Sequence, residues 1–449
     1  MLRAGFLGLG GLALPDLLQA ASGKGPNPDK GKSVIFLFQQ GGPSQLETFD
    51  PKMDVPDGNR TVGGSIRTSI PGVHFGASLP QLAKLAHKLN IVRSYQTNNS
   101  GHNIQPLVGP DSEETNIGVH YSKVVGSNRA RTGIPTNAVL FPEVVDSELV
   151  KGKARGPIDA TGTYAKSLAP FIPGGGGQLQ KDLKVGLPPE RLFGDRRALL
   201  KKLDGLNRKV DAAGQIDAVD EMQRQAFEVL LGGGISKALD LSGEDTATFA
   251  RYDTSGYAQP GRWDKVSRGR KGFYSCCAKS IGHLLLMSRR LCEAGAGFVT
   301  VHAGYDGVWD MHADGNNLDM VDGMQAVGGA FDHAVAALIQ DIEDRGLSEK
   351  IMVVASGEMG RTPKINKKGG RDHWAKLAPL LIYGGGYEGG QVIGESDKQG
   401  GEPNSNGYGP KNLISTILNT VLDTGTLRLL PEVPVRLQEM IAERPIPLA

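Results

Sequence analysis

Imidazoles and carboxylates gather in one part of this sequence, between Phe298 and Trp374, at the points where apolar runs stop. His302 ends one such run and Asp306 follows it; Trp309-Asp310-Met311-His312 forms a tight cluster; Glu358 follows a second run; Gly370-Arg371-Asp372-His373-Trp374 closes the stretch. Imidazole and carboxylate suit zinc and manganese, and hard carboxylate oxygens suit calcium. A divalent cation promotes loss of a proton from water or an alcohol and offsets charge on an oxyanion. The candidate ligands for one or two ions, zinc, manganese or calcium, are therefore His302, Asp306, Asp310, His312, Glu358, Asp372 and His373. Asp310 and His312 stand two apart, a spacing that points both to one side of an extended segment but separates them by ~200° on a helix. No fixed spacing of the HExxH kind ties the set together. By themselves these residues fit a metal centre or a hydrogen-bonded polar core.

Arg361, in Ser356-Gly357-Glu358-Met359-Gly360-Arg361-Thr362-Pro363, and Arg371 carry guanidinium forks that match phosphate, sulfate or carboxylate. Either can instead orient Glu358 or Asp372. Far upstream, Thr97-Asn98-Asn99-Ser100-Gly101-His102 sets hydroxyls, amides and an imidazole after a short β-rich run. Ser100 or Thr97 is a candidate nucleophile with His102 beside it, or the backbone N–H groups there receive an anion. Each residue alone reads as well as an ordinary loop side chain. Trp309 and Trp374 flank the ligand segments as packing walls first and stacking platforms second.

The elements that must position these groups alternate. Ser33 to Phe38 is a short, continuous apolar run, as expected of a central strand buried on both faces. It ends in Gln39-Gln40-Gly41-Gly42-Pro43-Ser44, whose glycines permit a tight turn, with Gln40, Ser44, Glu47 and Asp50 placed to face a site at the strand's carboxyl end. Further strands are predicted at Ile91 to Arg93, Asn137 to Phe141, Phe298 to Val301, Ile351 to Ala355 and Leu380 to Tyr383. Helices are predicted at Leu79 to Leu89, Ile117 to Val125 (carrying His120), Phe273 to Ala294 (carrying a core or half-buried His283), Met324 to Glu343 and Leu413 to Leu422. Strand, helix and strand in alternation argue for a parallel sheet with right-handed crossovers, and in such a sheet ligands bind outside the strands' carboxyl ends. Pro173 and the four glycines that follow mark the start of an insertion, and the charged helical pattern from Asp195 to Leu231 reads as a cap with a solvated face. One α/β domain over 30–449 is expected, with 174–270 a largely helical insertion.

Composition narrows the function. With 50 Lys and Arg against 48 Asp and Glu there is no general attraction to nucleic acid. The 63 glycines against 6% aromatics imply many turns rather than a helical bundle. Cys276, Cys277 and Cys292 lack zinc-ligand spacing and read as buried small hydrophobes. Residues 1–22 combine Arg3, an apolar run from Ala4 to Leu18 and the small residues Ala20, Ala21 and Ser22, the layout of an export signal. A general secretory or twin-arginine route to the periplasm or cell surface is expected; the Arg pair of the latter is not in the sequence as given. No later run is long enough for a membrane span, so the mature protein is expected to be soluble. Oligomeric state is not legible.

Taken together, Leu7-Gly8-Leu9-Gly10-Gly11-Leu12, Gln40-Gly41-Gly42-Pro43-Ser44 with Thr48-Phe49-Asp50-Pro51-Lys52, Asn98-Asn99-Ser100-Gly101-His102, Trp309-Asp310-Met311-His312, Gly357-Glu358-Met359-Gly360-Arg361-Thr362-Pro363 and Gly370-Arg371-Asp372-His373-Trp374 resemble the bacterial domain of unknown function 1501 family over nearly the whole chain. That family is commonly related to the alkaline phosphatase and sulfatase superfamily. The resemblance implies a three-layer α/β/α sandwich with a metal site at the strand ends, acting on an anionic phosphate or sulfate ester of a small molecule or glycan. It implies His373 and the Asp310/His312 pair as the best-fitting metal ligands. Superfamily members usually carry Asp where this chain has Gln39-Gln40 and Asp-His where it has Glu358-Met359. One metal site with the second altered is therefore expected, and so is the alternative of a catalytically impaired member that binds an anion or a glycan at the cell surface.

Overall fold

The computed structural model describes residues 27–129, 132–149, 151–174, 234–258, 266, 268–304, 307–430 and 433–449. Among the described residues, eleven strands follow one another as β1 (Ser33–Phe38), β2 (Ser65–Arg67), β3 (His74–Gly76), β4 (Asn90–Val92), β5 (Asn137–Leu140), β6 (Phe298–Val301), β7 (Ile351–Ser356), β8 (Gly360–Ile365), β9 (Arg371–Trp374), β10 (Leu380–Gly384) and β11 (Gln391–Ile393). Seven of them form the central sheet in the order β11-β4-β10-β7-β1-β6-β5. As its uninterrupted apolar sequence requires, β1 lies between β7 and β6, parallel to both, and all six of its residues are buried.

The alternation of side chains along each strand feeds two apolar layers. Ile35, Leu37, Val299, Val301, Val353 and Ala355 face one layer, closed by α1 (Pro80–Leu85), α3 (Arg268–Ala294) and α4 (Gly329–Asp344); α2 (Ile117–Val125) lies opposite. There, Val34, Phe36, Phe38, Met352, Val354 and Ile382 meet α2 together with α5 (Pro410–Val421) and α6 (Val435–Ala442). This is the three-layer sandwich that the sequence leads one to expect. A short helix, Met320–Gly323, precedes the helix expected from Met324 to Glu343, whose first residues, Met324–Gly328, form a π-turn before α4.

Two further departures bear on the site. The expected parallel strand at Leu380 is antiparallel to both neighbours. After β7 the chain turns out into the β8–β9 hairpin at the sheet's carboxyl edge and returns from that same edge, without the crossover helix a parallel return needs. The Gly-Arg-Thr-Pro segment itself is β8; its register shifts between Arg361 and Ile365, which lets Pro363 sit in a strand. The Asp195 to Leu231 pattern falls outside the described residues, as do residues 1–26 with the leader-like segment. Among the described residues no helix is long and apolar enough to cross a membrane.

Several polar residues singled out by spacing serve the scaffold. His120 is buried with its ring against the Tyr164 hydroxyl and the Ser112 carbonyl. His283 is half-buried and stacks on Phe249, ring centroids 4.1 Å apart. All three cysteines are free and buried. Asp50 binds Lys52, and Ser44 accepts the Glu47 N–H.

Candidate metal centre

Three imidazoles converge on one carboxylate. Asp310, 5% exposed, has Oδ2 at 3.0 Å from His102 Nε2 and 2.9 Å from His312 Nε2, while its Oδ1 is 3.2 Å from His373 Nε2. Each comes from a different segment of the carboxyl edge: His102 from the loop beyond β4, Asp310 and His312 from the irregular segment beyond β6, His373 from β9. The donor atoms of His102, Asp310 and His373 all lie within 4.8 Å of one another, close enough to share one ion. The Asp310 and His312 side chains meet, as their spacing on a non-helical segment predicts.

Two glycines permit this closeness. Gly41, in the turn after β1, has φ +113°, and a Cβ there would stand 2.7 Å from the Asp310 nitrogen. At Gly370 a Cβ would stand 2.4 Å from the carbonyl carbon of His312. Gly41→Ala is expected to cost about 1–3 kcal/mol by overpacking and backbone strain, read as a lower unfolding midpoint together with weaker metal retention.

The outer edges of the rings are engaged too. His373 Nδ1 lies 2.9 Å from the Ser100 carbonyl oxygen, which only accepts, so this nitrogen carries the proton. In a neutral ring its Nε2 then presents a lone pair to a carboxylate oxygen 3.2 Å away. Lone pair against lone pair is repulsive unless the ring is protonated or a cation is shared between the two atoms. The donor set therefore fits a divalent metal, with His102, Asp310 and His373 to hold it. His102 Nδ1 meets Glu358 Oε1 at 3.0 Å, and Glu358 receives the Gly41 N–H on both oxygens.

The same contacts set the electrostatics of the metal-free protein. Burial resists charge on Asp310, but hydrogen bonds from the three imidazoles and the Arg361 guanidinium hold its carboxyl far below the usual carboxylate range. Burial disfavours protonated His102, yet its hydrogen bonds to Asp310 and Glu358 prevail and carry it up to about 9. The Asp310 hydrogen bond also raises His312. Full burial pushes the Glu358 carboxyl up, against the pull of His102 and Gly41. A histidine raised in the folded state contributes stability that is complete below its ordinary value of about 6.5 and is lost as pH rises through about 9. Metal-free protein is thus expected to lose on the order of 2 kcal/mol across that window, less than the full shift because the ring keeps some contact with solvent, its side chain being 10% exposed. Urea unfolding at each pH measures it, and His102→Gln flattens the dependence.

Other residues chosen from the sequence lie elsewhere. His302 is at the end of β6 but turns to Gln40, its Nε2 3.0 Å from Gln40 Oε1. Asp372 is exposed and accepts from Asn366, so it is not among the groups that meet. Asp306 lies outside the described residues. Neither arginine has a guanidinium to offer an incoming anion. Arg361 is fully buried and donates to Asp310 Oδ1 at 2.7 Å and to the carbonyls of Gly42, Arg371, Gly41 and Trp309. Arg371 is equally buried, on Glu47 and on the carbonyls of Thr362, Pro363 and Arg60. Thr97 commits its hydroxyl to the Asn99 carbonyl, whereas Ser100 is exposed in the loop that His373 grips. Trp309 is buried edge-on against Phe331, and Trp374 donates to the Gly401 carbonyl. His102, read from the sequence as a catalytic group, has a ring nitrogen within 4.8 Å of the donor atoms of Asp310 and His373.

The family described as protein of unknown function (DUF1501) matches residues 31–427. No curated protein matches the chain. Among solved structures it is similar to the PsFucS1 sulfatase from Pseudoalteromonas sp., at 12% identity and TM-score 0.34, over 90% of this chain and 69% of that one. It is similar to the phosphonate monoester hydrolase SpPMH from Silicibacter pomeroyi, at 9% identity and TM-score 0.33, over 87% and 72%. A mutant of TAB5 alkaline phosphatase matches at 12% identity and TM-score 0.29, over 88% and 98%.

Proposed function

This chain belongs to the DUF1501 family, and from that premise we propose that it is an exported, metal-dependent hydrolase of phosphate or sulfate esters whose cation is held by His102, Asp310 and His373. The observation that carries the reading is the His373 ring, with acceptors on both edges, a carbonyl at Nδ1 and a carboxylate at Nε2. A divalent cation supplies the positive charge that promotes proton loss from water or an alcohol and offsets charge on an ester oxygen. Asp310 anchors the site, its carboxylate kept ionised by the three imidazoles and, beside them, by buried Arg361. His312, a quarter exposed at its side chain and 2.9 Å from Asp310, is placed to carry a proton between the site and solvent. Ser100, exposed and one residue from Gly101-His102, is the candidate nucleophile; Thr97 is less available because its hydroxyl is already donated. Anion binding falls to backbone N–H groups and the cation rather than to either arginine.

A specific observation favours the second reading, a catalytically impaired member that binds an anionic group or glycan at the cell surface: both arginines are consumed internally. Metal analysis of the purified protein, with aryl phosphates and aryl sulfates as probes, separates the two. The hydrolase is expected to hold a divalent ion, lose turnover on chelation, regain it with zinc or manganese, and lose it in Ser100→Ala. Turnover that survives removal of the metal overturns the proposal; bound metal without hydrolysis of any ester leaves the binder.

A further inference from the structure

Glu358 stands on the far side of the His102 ring from Asp310. The sequence makes it a candidate ligand, yet it contacts the wrong edge of His102. Its Oε1 lies 3.0 Å from Nδ1, whereas Asp310 faces Nε2 on the opposite edge of the same ring. A cation shared by Nε2 and Asp310 is therefore screened from Glu358 by the imidazole itself. The carboxylate is fully buried against the His102 ring and the Gly41 N–H, whose nitrogen is 2.9 and 3.1 Å from its two oxygens. Its own backbone carbonyl accepts from Asn99 Nδ2 at 3.1 Å, which fastens the His102 loop to the end of β7 from a second direction.

We infer that Glu358 is the positioning residue of the metal centre: it accepts the His102 Nδ1 proton, and so fixes the tautomer and ring orientation that leave the Nε2 lone pair for the cation. Outer carboxylates act on metal-bound histidines in this way, and removing one weakens metal affinity about 10–100-fold. Here the carboxylate also has a fixed support, because the Gly41 N–H belongs to the turn that closes β1. The turn after β1, the end of β7 and the loop beyond β4 are thereby locked to one imidazole. The inference rests on the metal reading above.

The test compares zinc affinity, by competition with a chelator, for the full chain, Glu358→Gln and His373→Ala, with the His102 tautomer read from long-range ¹H–¹⁵N spectra of the zinc-loaded protein. In Glu358→Gln an amide oxygen at the Oε1 position still meets both His102 Nδ1 and the Gly41 N–H, but the negative charge is gone and the NH₂ at the Oε2 position opposes the Gly41 N–H 3.1 Å away. The expected result is an Nδ1–H tautomer in the wild type, and zinc affinity lowered about 10–100-fold in Glu358→Gln, where the charged acceptor is lost. Wild-type affinity in that variant overturns the inference while His373→Ala still abolishes binding and the metal reading stands. If the wild type takes up no zinc, or His373→Ala binds it undiminished, the metal reading fails and takes the inference with it. Should Glu358→Gln not fold, an Nε2–H tautomer in the zinc-loaded wild type is itself contradictory, and Glu358→Asp, which keeps the charge but retracts it by about 1.5 Å, supplies the affinity comparison.

Discussion

Asp310→Asn is expected to leave the folded protein without stoichiometric metal and to lower ester turnover at least about 10³-fold, since a catalytic cation is worth several kcal/mol at about 1.36 kcal/mol per decade. The size of the effect follows from how many groups share this one side chain. His102, His312 and His373 all point Nε2 at it, and Arg361 and Asn317 donate to it. An amide at the same position keeps the shape but removes the charge that balances Arg361 and attracts a cation. Elemental analysis and turnover on an aryl ester check both parts. Full metal content in the variant would mean that the ion, if any, sits elsewhere.

Arg361→Ala is expected to be the most destabilising single change near the site. It strips a buried carboxylate of its guanidinium and leaves the carbonyls of Gly42, Gly41, Trp309 and Arg371 without their shared donor. Breaking a buried ion pair from one side costs about 3–5 kcal/mol, which for a chain of this size lowers Tm by roughly 3–5 °C. Arg361→Lys recovers only part of that, because one ammonium cannot reach carbonyls in several directions as a planar fork does. Thermal unfolding of both variants measures it; a Tm within about 1 °C of wild type for Arg361→Ala would show that the three imidazoles alone neutralise Asp310.

The scaffold was legible where a strand is buried on both faces or a helix has one apolar side. The run Ser33 to Phe38 is central for the reason its sequence implies, and Phe298 to Val301 begins and ends where its apolar residues do. Strand direction was not legible: Leu380 to Tyr383 reads the same whether the chain enters from one edge or the other, and only the β8–β9 hairpin decides it. At the site, Asp310, His312 and His373 were recognisable as ligand types beside strand ends. His102 was harder to place in the donor set, because 208 residues separate it from Asp310 and no periodicity links them. Glu358, Arg361 and Arg371 were legible as chemistry but not as pairings, which depend on tertiary contacts; Glu358 lies on the far edge of an imidazole and the two arginines on internal carbonyls and carboxylates. A signal was present in the glycines, since Gly41 and Gly370 stand where backbone must pass close to the Asp310–His312 segment.

The most direct test is crystallographic: diffraction from zinc-soaked crystals on either side of the zinc absorption edge, which locates the ion without reference to activity. One anomalous peak is expected at zinc–ligand distance, about 2.0–2.2 Å, from His102 Nε2, His373 Nε2 and an Asp310 oxygen. A peak on other residues, or none beside Asp310 at saturating zinc, would contradict this placement of the ion.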